Sequence, residues 1–270
     1  MYPSGRFYHG AVSTHRLRIV TFNIAHGRGL TPIQGLTSSR KLRHNLRRIA
    51  ALLGSLHADV VALQEVDQRS VWSGNFDHLD YIRAHAGYPF AVFGINNRRL
   101  GLMNLCYGNA ILSRFPIAAT ETIVFGKRKV GEKGFLYAEI VVGGRIIPFV
   151  NLHLHFSSRR RRLLQLDQLV AWLRGKKHER GAFWSVLPVV CGDFNVPDTR
   201  DDATSSLLGL LHDYGDYTLH PRQIPTFPSP MPRRALDFVF VPPRCRHVHC
   251  EVVRSVLSDH RPVLVEFSVA

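Results

Sequence analysis

The sequence predicts an α+β sandwich, in which two β-sheets pack face to face and helices cover their outer surfaces. Short β-branched runs separated by turn residues dominate the chain, and only two long segments have the apolar spacing of a helix. No linker-like stretch, low-complexity stretch or internal repeat divides the 270 residues. A chain of this length commonly folds as one unit. We therefore expect a polar leader over residues 1–16 and a single domain over residues 17–270.

The first part of this domain is predicted to be a β-α-β unit. Residues 18–24 have the β-branched density of a buried strand. Within residues 40–56, leucine and isoleucine recur at spacings of three and four, which is typical of an amphipathic helix. The apolar run at residues 58–65 then predicts the next strand.

Short strands and a second helix are predicted for the rest of the chain. Residues 136–142 and 145–155 flank Gly143 and Gly144, which is the clearest hairpin in the sequence. Leucine and valine at helical spacing predict a helix over residues 159–174. The remaining predicted strands are residues 109–113, 187–191, 235–241 and 262–269.

The charge of the chain predicts a polyanionic partner. Lysine and arginine number 35 against 20 acidic residues, so the net charge is +15 and the pI is near 10.3. Nucleic acid, an anionic membrane face and a phosphorylated small molecule all fit such a surplus. An arginine-rich composition that serves solubility is the alternative explanation. Because 45% of residues are hydrophobic, the chain can bury a substantial core, which excludes a disordered protein.

The four cysteines predict reduced thiols. They contain no C-x-x-C pair, and Cys106 and Cys191 lie in apolar runs, where a free cysteine behaves as a small hydrophobic residue. Cys245 and Cys250 flank two histidines, but their spacing matches no standard zinc site.

The sequence predicts a cytoplasmic protein. The N-terminus lacks the charged-then-apolar pattern of a signal peptide. No apolar run approaches the ~18 residues that a membrane span requires, so we expect no transmembrane segment.

Polar side chains at the ends of apolar runs predict an active site. Each such run would be a strand, and side chains at strand ends can reach a common pocket. Carboxylate, amide and imidazole groups gathered there could hold a hard divalent cation and activate water. The residues are Asn23 in T-F-N, Glu65 in L-Q-E, His153 in N-L-H-L, Asp193 and Asn195 in G-D-F-N, and Asp259 and His260 in S-D-H-R-P.

Two of these clusters indicate a chemical role from the residues alone. Asp193 and Asn195 are two residues apart and share one face of an extended chain, although a plain turn would give the same pattern. Asp237 lies within an apolar strand, and a buried lone charge costs several kcal/mol unless it is paired. His260 is the natural partner, and a carboxylate beside it would favour the imidazolium form. Such a cation can stabilise charge on phosphorus.

The ordered set of motifs resembles the endonuclease/exonuclease/phosphatase superfamily, the DNase I-like metal-dependent phosphoesterases. The resemblance extends over residues 17–269, and the T-F-P segment at residues 226–228 matches a short element of the family. The matching segments that contain candidate residues are T-F-N, L-Q-E, G-N-A-I-L-S, N-L-H-L, G-D-F-N, L-D-F-V-F and S-D-H-R-P.

This resemblance implies a four-layered α/β/β/α sandwich of two packed, mainly antiparallel sheets with outer helices and the site at one edge. It also implies residue roles. Glu65 would bind Mg²⁺ or Mn²⁺ with help from Asn23 and Asp259. Asp193, assisted by Asn195, would activate the attacking water. His260, paired with Asp237, would stabilise the phosphorane, and His153 would contact the scissile phosphate. Its carboxylate partner in the family comes from mid-chain, where the candidates are Asn96, Asn97, Glu121 and Glu139.

Basic loops next to the motifs predict how substrate phosphate is bound. Residues 98–99, 127–129, 159–162 and 233–234 are basic. Cations at the start of a helix oppose the helix dipole, so the arginines at residues 159–162 favour a phosphate-binding role over a solvated helix start. We expect Asn109, Arg159 and Arg162 to bind substrate phosphate.

The predicted function is a metal-dependent phosphodiester hydrolase, with a nuclease as the leading hypothesis because of the charge. A lipid or head-group phosphodiesterase similar to sphingomyelinase, in peripheral contact with an anionic membrane, is the alternative, together with a small-molecule phosphatase. A catalytically inactive scaffold that binds phosphoesters is a third hypothesis. The intact set of acidic residues and His260 argues against it.

Overall fold

The computed structural model describes residues 15–101, 104–126, 131–196 and 203–269. Most of the leader predicted at residues 1–16 and the basic residues 127–129 lie outside the described residues. The strands are His15–Asn23 (β1), Val60–Asp67 (β2), Phe90–Arg99 (β3), Leu105–Ser113 (β4), Ile117–Val124 (β5), Gly134–Val142 (β6), Arg145–His153 (β7), Val189–Asp193 (β8), Thr218–His220 (β9), Asp237–Val241 (β10), Cys245–Val252 (β11) and Val263–Val269 (β12). The α-helices are Ser39–Ser55 (α1), His78–Ala86 (α2), Arg159–Arg180 (α3) and Ala203–Leu211 (α4).

Two mixed sheets of six strands each form the centre of the fold. The first has the order β11-β12-β1-β2-β4-β3, and the second has the order β5-β6-β7-β8-β10-β9. The pairs β1–β2 and β7–β8 are parallel, and the other strand pairs are antiparallel. The predicted α+β sandwich with mainly antiparallel sheets is confirmed.

Three apolar clusters account for the four layers. The cluster between the sheets contains Ile19 and Val265 from the first sheet and Phe149 and Val189 from the second. A second cluster packs helices α1 and α2 on the outer face of the first sheet. A third packs helices α3 and α4 on the outer face of the second sheet. The strands therefore bury side chains on both faces, which explains why their sequences read as continuous apolar runs.

Local signals in the sequence account for where the helices begin. Ser38 caps α1 by accepting a hydrogen bond from Lys41 N, and Ser158 caps α3 by accepting one from Arg161 N. Helix α3 continues to Arg180, beyond the predicted end at residue 174. The extension has no apolar pattern of its own, but the Arg180 guanidinium binds both carboxylate oxygens of the fully buried Glu139.

A buried amide ties the two sheets together close to the edge that carries the site. Asn151 on β7 donates from Nδ2 to Leu63 O at 2.9 Å and to Ala110 O at 2.8 Å, both in the first sheet. Its Oδ1 accepts from Gln64 Nε2 at 2.7 Å. These bonds fix the two sheets relative to each other next to Glu65.

The cysteines are present as thiols. All four cysteines are free, Cys106 and Cys191 are buried, and Cys245 and Cys250 are half-buried against the inter-sheet cluster. No helix in the described part of the chain is both long enough and apolar enough to cross a membrane.

Candidate active site

Strand ends bring the predicted site residues to one edge of the two sheets. Strands β1, β2, β7 and β8 end at this edge, whereas β10 and β12 begin there. Because β1 runs parallel to β2, Asn23 lies beside Gln64. Likewise, His153 lies beside Asp193 in the parallel pair β7–β8. The antiparallel pairing of β10 with β8 places Asp237 opposite Asp193. Residues far apart in the sequence therefore converge on Asp193.

Asp193 is the centre of a buried polar cluster. Its Oδ2 accepts a hydrogen bond from Asn23 Nδ2 at 2.9 Å, and its Oδ1 accepts one from Asn195 N at 2.9 Å. His153 Nε2 lies 3.4 Å and His260 Nε2 lies 3.8 Å from Asp193 Oδ2. Burial raises the pKa of Asp193 to about 7. A carboxylate with such a pKa can take a proton from water near neutral pH.

His260 forms a buried dyad with Asp237, as the sequence predicted. His260 Nδ1 lies 2.8 Å from Asp237 Oδ2, and Thr226 Oγ1 donates to the same oxygen at 2.6 Å. Burial alone would lower the pKa of His260, but the negative charges of Asp237 and Asp193 outweigh it and raise the pKa to about 10. His260 is therefore an imidazolium at neutral pH, with Nε2–H directed toward Asp193.

Glu65 is directed into the site by a β-bulge. The register between β2 and β4 shifts between Leu63 and Val66, and Glu65 has a φ of +54°. A non-glycine residue in this left-handed region carries strain, which is common at functional sites. Burial opposes ionisation of Glu65, yet the positive charges of Lys133 and His26 hold its pKa below the usual range. Glu65 is thus an ionised carboxylate.

Lys133 is a site residue that the motifs did not identify. Its Nζ lies 3.3 Å from Glu65 Oε1 and 3.3 Å from His153 Nδ1. An ammonium group can only donate, so His153 Nδ1 must accept and the imidazole proton resides on Nε2. Burial and the neighbouring Lys133 charge lower the pKa of His153 well below its ordinary value. His153 is therefore a neutral hydrogen-bond donor that faces Asp193. The only sequence signal for Lys133 was its position four residues after the basic residues 127–129.

His26 and Asp67 form a second imidazole–carboxylate pair on the other side of Glu65. His26 Nδ1 lies 2.6 Å from Asp67 Oδ2, and His26 Nε2 lies 3.5 Å from Glu65 Oε2. Trp72 Nε1 donates to Asp67 Oδ1 at 2.8 Å and fixes its carboxylate. Burial opposes the protonation of His26, but Asp67 and Glu65 raise its pKa. His26 follows the T-F-N motif by three residues in a turn with a φ of +54°, which the sequence pattern did not reveal.

Asp259 and Asn195 lie at the periphery of the cluster. Asp259 Oδ2 accepts a hydrogen bond from Arg28 Nη2 at 2.9 Å, and this carboxylate is 25% exposed. Asn195 has a φ of +51° and uses Nδ2 to donate to Leu154 O at 3.0 Å. The side chain of Asn195 thus supports the loop after β7, and its backbone N–H contacts Asp193.

The mid-chain partner of His153 in this structure is Lys133. The candidates Glu121 and Glu139 instead form ion pairs with helix α3, on the outer face of the second sheet. Asn96 donates from Nδ2 to Asn109 Oδ1 at 3.4 Å.

The three residues predicted to bind phosphate occupy different environments. Asn109 is fully buried, and its Nδ2 donates to Gly134 O at 3.0 Å and to Asn151 O at 3.1 Å. A phosphate contact from its amide would therefore replace one of these bonds. Arg162 is also buried and donates to His155 O at 3.0 Å, whereas Arg159 is exposed in the first turn of α3. Their binding of phosphate stays a prediction.

The donors around Glu65 fit a hard divalent cation. Mg²⁺ binds through one or two carboxylates and retains several waters. Glu65 provides an ionised carboxylate that is 19% exposed, and Asp259, which pairs with Arg28, provides a carboxylate that is 25% exposed. Asn23 Oδ1 accepts a hydrogen bond from Ala25 N and has a second lone pair. The Lys133 ammonium already lies beside Glu65, so a metal would share this carboxylate with Lys133.

The buried group of Asp193, Asp237 and His260 is less suited to a metal. Potential ligand atoms of these three residues lie within 4.8 Å of one another. However, Asp237 Oδ2 is held by Thr226 and His260, and Asp193 is held by Asn23 and the backbone. An imidazolium also repels a cation. A carboxylate beside an imidazolium can instead transfer a proton or stabilise negative charge.

Comparison with known proteins gave matches over nearly the whole chain. The model of the Endonuclease/Exonuclease/phosphatase family matches residues 20–260. The uncharacterized protein YbhP of Escherichia coli (strain K12) is 26% identical over 261 residues, which is 92% of this chain and 95% of YbhP.

Solved structures share the fold. An endonuclease/exonuclease/phosphatase from Beutenbergia cavernae DSM 12333 superposes with a TM-score of 0.70 at 20% identity, covering 94% of this chain and 72% of that one. Sphingomyelinase C from Streptomyces griseocarneus gives 0.63 at 22% identity, covering 95% and 100%. A mannosyl-6-phosphatase from Bacteroides thetaiotaomicron VPI-5482 gives 0.66 at 18% identity, covering 93% and 99%.

Proposed function

The chain belongs to the endonuclease/exonuclease/phosphatase family, whose members hydrolyse phosphoester bonds, and from that premise we propose that it is a divalent-metal-dependent phosphodiester hydrolase. The observation that carries this proposal is the buried cluster in which Asp193 faces both His153 Nε2 and His260 Nε2. The base Asp193, the cationic donor His260 and the neutral donor His153 are thereby held close together.

Asp193 acts as the base in this proposal. Hydrogen bonds from Asn23 Nδ2 and Asn195 N hold its carboxylate in one orientation. With a pKa near 7, Asp193 can accept a proton from the attacking water as the oxygen approaches phosphorus. In-line attack would then expel the ester oxygen on the opposite side and give an alcohol and a phosphomonoester.

The two histidines stabilise the charge that develops on the phosphate oxygens. His260 supplies a full positive charge, because Asp237 keeps it protonated. His153 supplies a neutral N–H, because Lys133 occupies its other nitrogen. Donors placed in advance around a buried site stabilise a transition state without reorganisation.

Glu65 would hold Mg²⁺ or Mn²⁺, with Asn23 and Asp259 as further oxygen donors. When bound, such an ion neutralises charge on a non-bridging phosphate oxygen and orients the diester. Lys133 and His26 keep the Glu65 carboxylate ionised and fixed for this purpose.

Nucleic acid and lipid are the two classes of substrate that fit a phosphodiester hydrolase of this charge. The net charge of +15 supports nucleic acid, which was the leading hypothesis from the sequence. Exposed aliphatic side chains in the loops around the site support the alternative, a lipid substrate. The fold is shared with a sphingomyelinase and with a sugar phosphatase, so it does not discriminate between substrates.

The test is metal-dependent hydrolysis by the wild type and by Asp193→Ala, with plasmid DNA, RNA and sphingomyelin assayed in parallel. Asp80→Asn is the matched control, because Asp80 is an exposed carboxylate paired with Arg83 on helix α2. We expect turnover that requires Mg²⁺ or Mn²⁺, survives Asp80→Asn and falls at least ~10²-fold in Asp193→Ala. Binding of a phosphodiester without turnover of any diester would support the inactive scaffold and contradict the proposal.

A further inference from the structure

The loops that surround the site form a distinct surface, which we call the rim. It comprises residues 24–38, 68–77, 98–101, 131–133, 154–161, 221–236 and 253–262. These segments adjoin the ends of β1, β2, β3, β7, β9 and β11 or the starts of β6, β10 and β12, which lie at the same edge of the two sheets. The rim therefore lies at the edge of the two sheets where the substrate must enter.

Exposed large hydrophobic side chains are concentrated in the rim. Three lie in the loop between β1 and α1, where Ile33 is 58% and Leu36 is 70% exposed. A hydrogen bond of 3.4 Å from Gln34 Nε2 to Trp72 O links this loop to the segment that carries the exposed Val71. Of the twelve such side chains in the described residues, nine are in the rim: Leu30, Ile33, Leu36, Val71, Leu100, Phe156, Ile224, Met231 and Val256.

The charged residues of the rim are unequally distributed. Its three acidic residues are half-buried, and two of them are engaged in hydrogen bonds, Asp77 with Gln68 and Asp259 with Arg28. In contrast, many of its arginines are exposed. They are Arg69, Arg98, Arg99, Arg159, Arg160, Arg161, Arg222, Arg233, Arg234 and Arg254. The rim thus presents positive charge and apolar side chains together.

This combination fits a lipid surface better than a nucleic acid. Arginines would serve either partner, since both present phosphates. Single-stranded nucleic acid is held by aromatic rings on which bases stack, but Phe156 is the one exposed aromatic residue among the nine. Aliphatic side chains such as Leu36 and Leu100 find no complementary group on a sugar–phosphate backbone. At a membrane they can enter the acyl boundary while the arginines bind head groups.

We propose that the rim docks the active-site face onto an anionic lipid bilayer, so that the phosphodiester reaches Asp193 from the membrane surface. The inference rests on the proposed function, because it names lipid as the class of diester that this site takes. A site surrounded by side chains that enter the interface can receive a lipid head group without complete extraction of the lipid into water.

The first test measures binding without catalysis. Wild-type protein with EDTA is sedimented with vesicles of neutral phosphatidylcholine, or with vesicles that contain about 30 mol% anionic phospholipid. We expect binding to the anionic vesicles that decreases with salt. The double variant Ile33→Ser, Leu36→Ser should weaken it at least about tenfold, because two apolar side chains no longer enter the bilayer. Phe183→Ser is the matched control, since Phe183 is 59% exposed at the opposite edge.

The outcomes separate docking from catalysis. Absence of vesicle binding, or equal weakening by Phe183→Ser, would overturn the docking proposal. Tight binding of single-stranded DNA without vesicle binding would favour nucleic acid as the partner and also overturn the docking proposal. Hydrolysis of the soluble diester bis(p-nitrophenyl) phosphate should be unchanged in the double variant. If vesicles bind but no diester is hydrolysed, docking is upheld and the proposed function fails.

Discussion

Replacing Asp237 by asparagine should remove the positive charge on His260 that the proposed mechanism requires. The two side chains are buried, and Asp237 Oδ2 lies 2.8 Å from His260 Nδ1. Burial lowers the pKa of His260, and the negative charge of Asp237 is the largest effect that opposes it. In Asp237→Asn burial remains and this charge is gone, so the pKa of His260 should fall from about 10 to below that of Asp193.

The loss of activity follows from two protonation states that must coexist. Asp193 has to be deprotonated, with a pKa of about 7, while His260 has to be protonated, with a pKa of about 10. Midway between these values nearly every wild-type molecule meets both conditions. If the pKa of His260 falls below that of Asp193, only a minority of molecules can hold Asp193 deprotonated and His260 protonated at the same time, whatever the pH. The His260 ring also loses the partner that fixes its orientation, so we expect kcat/KM to decrease by about 10²–10⁴-fold in total.

The assay is the pH dependence of kcat/KM for bis(p-nitrophenyl) phosphate at saturating Mg²⁺. The wild type should show a plateau between pH values of about 7 and 10. Asp237→Asn should show a low, narrow maximum below pH 7, because the alkaline limit moves below the acidic one. Asp80→Asn serves as the control, and its pH dependence of kcat/KM should match that of the wild type. A variant that keeps the alkaline limit near pH 10 and more than about a tenth of the activity would show that Asp237 does not hold His260 in its protonated form.

Three other substitutions test separate parts of the structure. Glu65→Gln should weaken Mg²⁺ binding measured by calorimetry, since the anchoring charge is lost, and an unchanged titration would remove Glu65 from the metal site. Lys133→Met should leave Nδ1 of His153 without its donor, so that the tautomer of His153 is no longer fixed and kcat falls at least ~10-fold. Lys133→Arg should restore part of the lost kcat, because arginine can also donate to Nδ1. Equal activity of the two variants would contradict this role of Lys133. Asn151→Ala should reduce the free energy of unfolding by roughly 2–5 kcal/mol in denaturant titration, because two carbonyls and Gln64 lose their partner in the core. A loss below about 1 kcal/mol would show that the amide does not tie the sheets together.

The predictable part of the fold was the part with strong local periodicity. Helix α1 was predicted at residues 40–56 and is Ser39–Ser55, since its apolar stripe and its Ser38 cap act locally. The hairpin β6–β7 was equally clear from its two glycines, which have φ values of +56° and +78°. Strands β3, β5 and β11 lie at sheet edges and were not predicted. Edge strands are half-buried and read as mixed sequence, so their formation depends on the neighbouring strand.

The predictable part of the site was the part that lies on strand ends. Asn23, Glu65, His153 and Asp193 were found because each directly follows or closes an apolar run, and the sheet then aligns them. Lys133 could not be found in this way. It belongs to a loop, and its role depends on a distance of 3.3 Å to Glu65 that only the packing of the two sheets determines.

Backbone conformation hides a second kind of site residue. His26 reaches Glu65 from a turn in which its own φ is +54°, and its sequence neighbours do not signal this conformation. The predicted roles of Arg159 and Arg162 depend on a bound phosphate, and so they stay predictions.

Isotope labelling shows whether Asp193 directs the attack of water on phosphorus. A diester is hydrolysed in H₂¹⁸O with Mg²⁺ by the wild type and by Asp193→Asn, and the products are analysed by mass spectrometry. We expect that one ¹⁸O enters the phosphomonoester, that none enters the alcohol, and that the labelled product nearly disappears in Asp193→Asn. Label in the alcohol, or undiminished labelling of phosphate by Asp193→Asn, would contradict it.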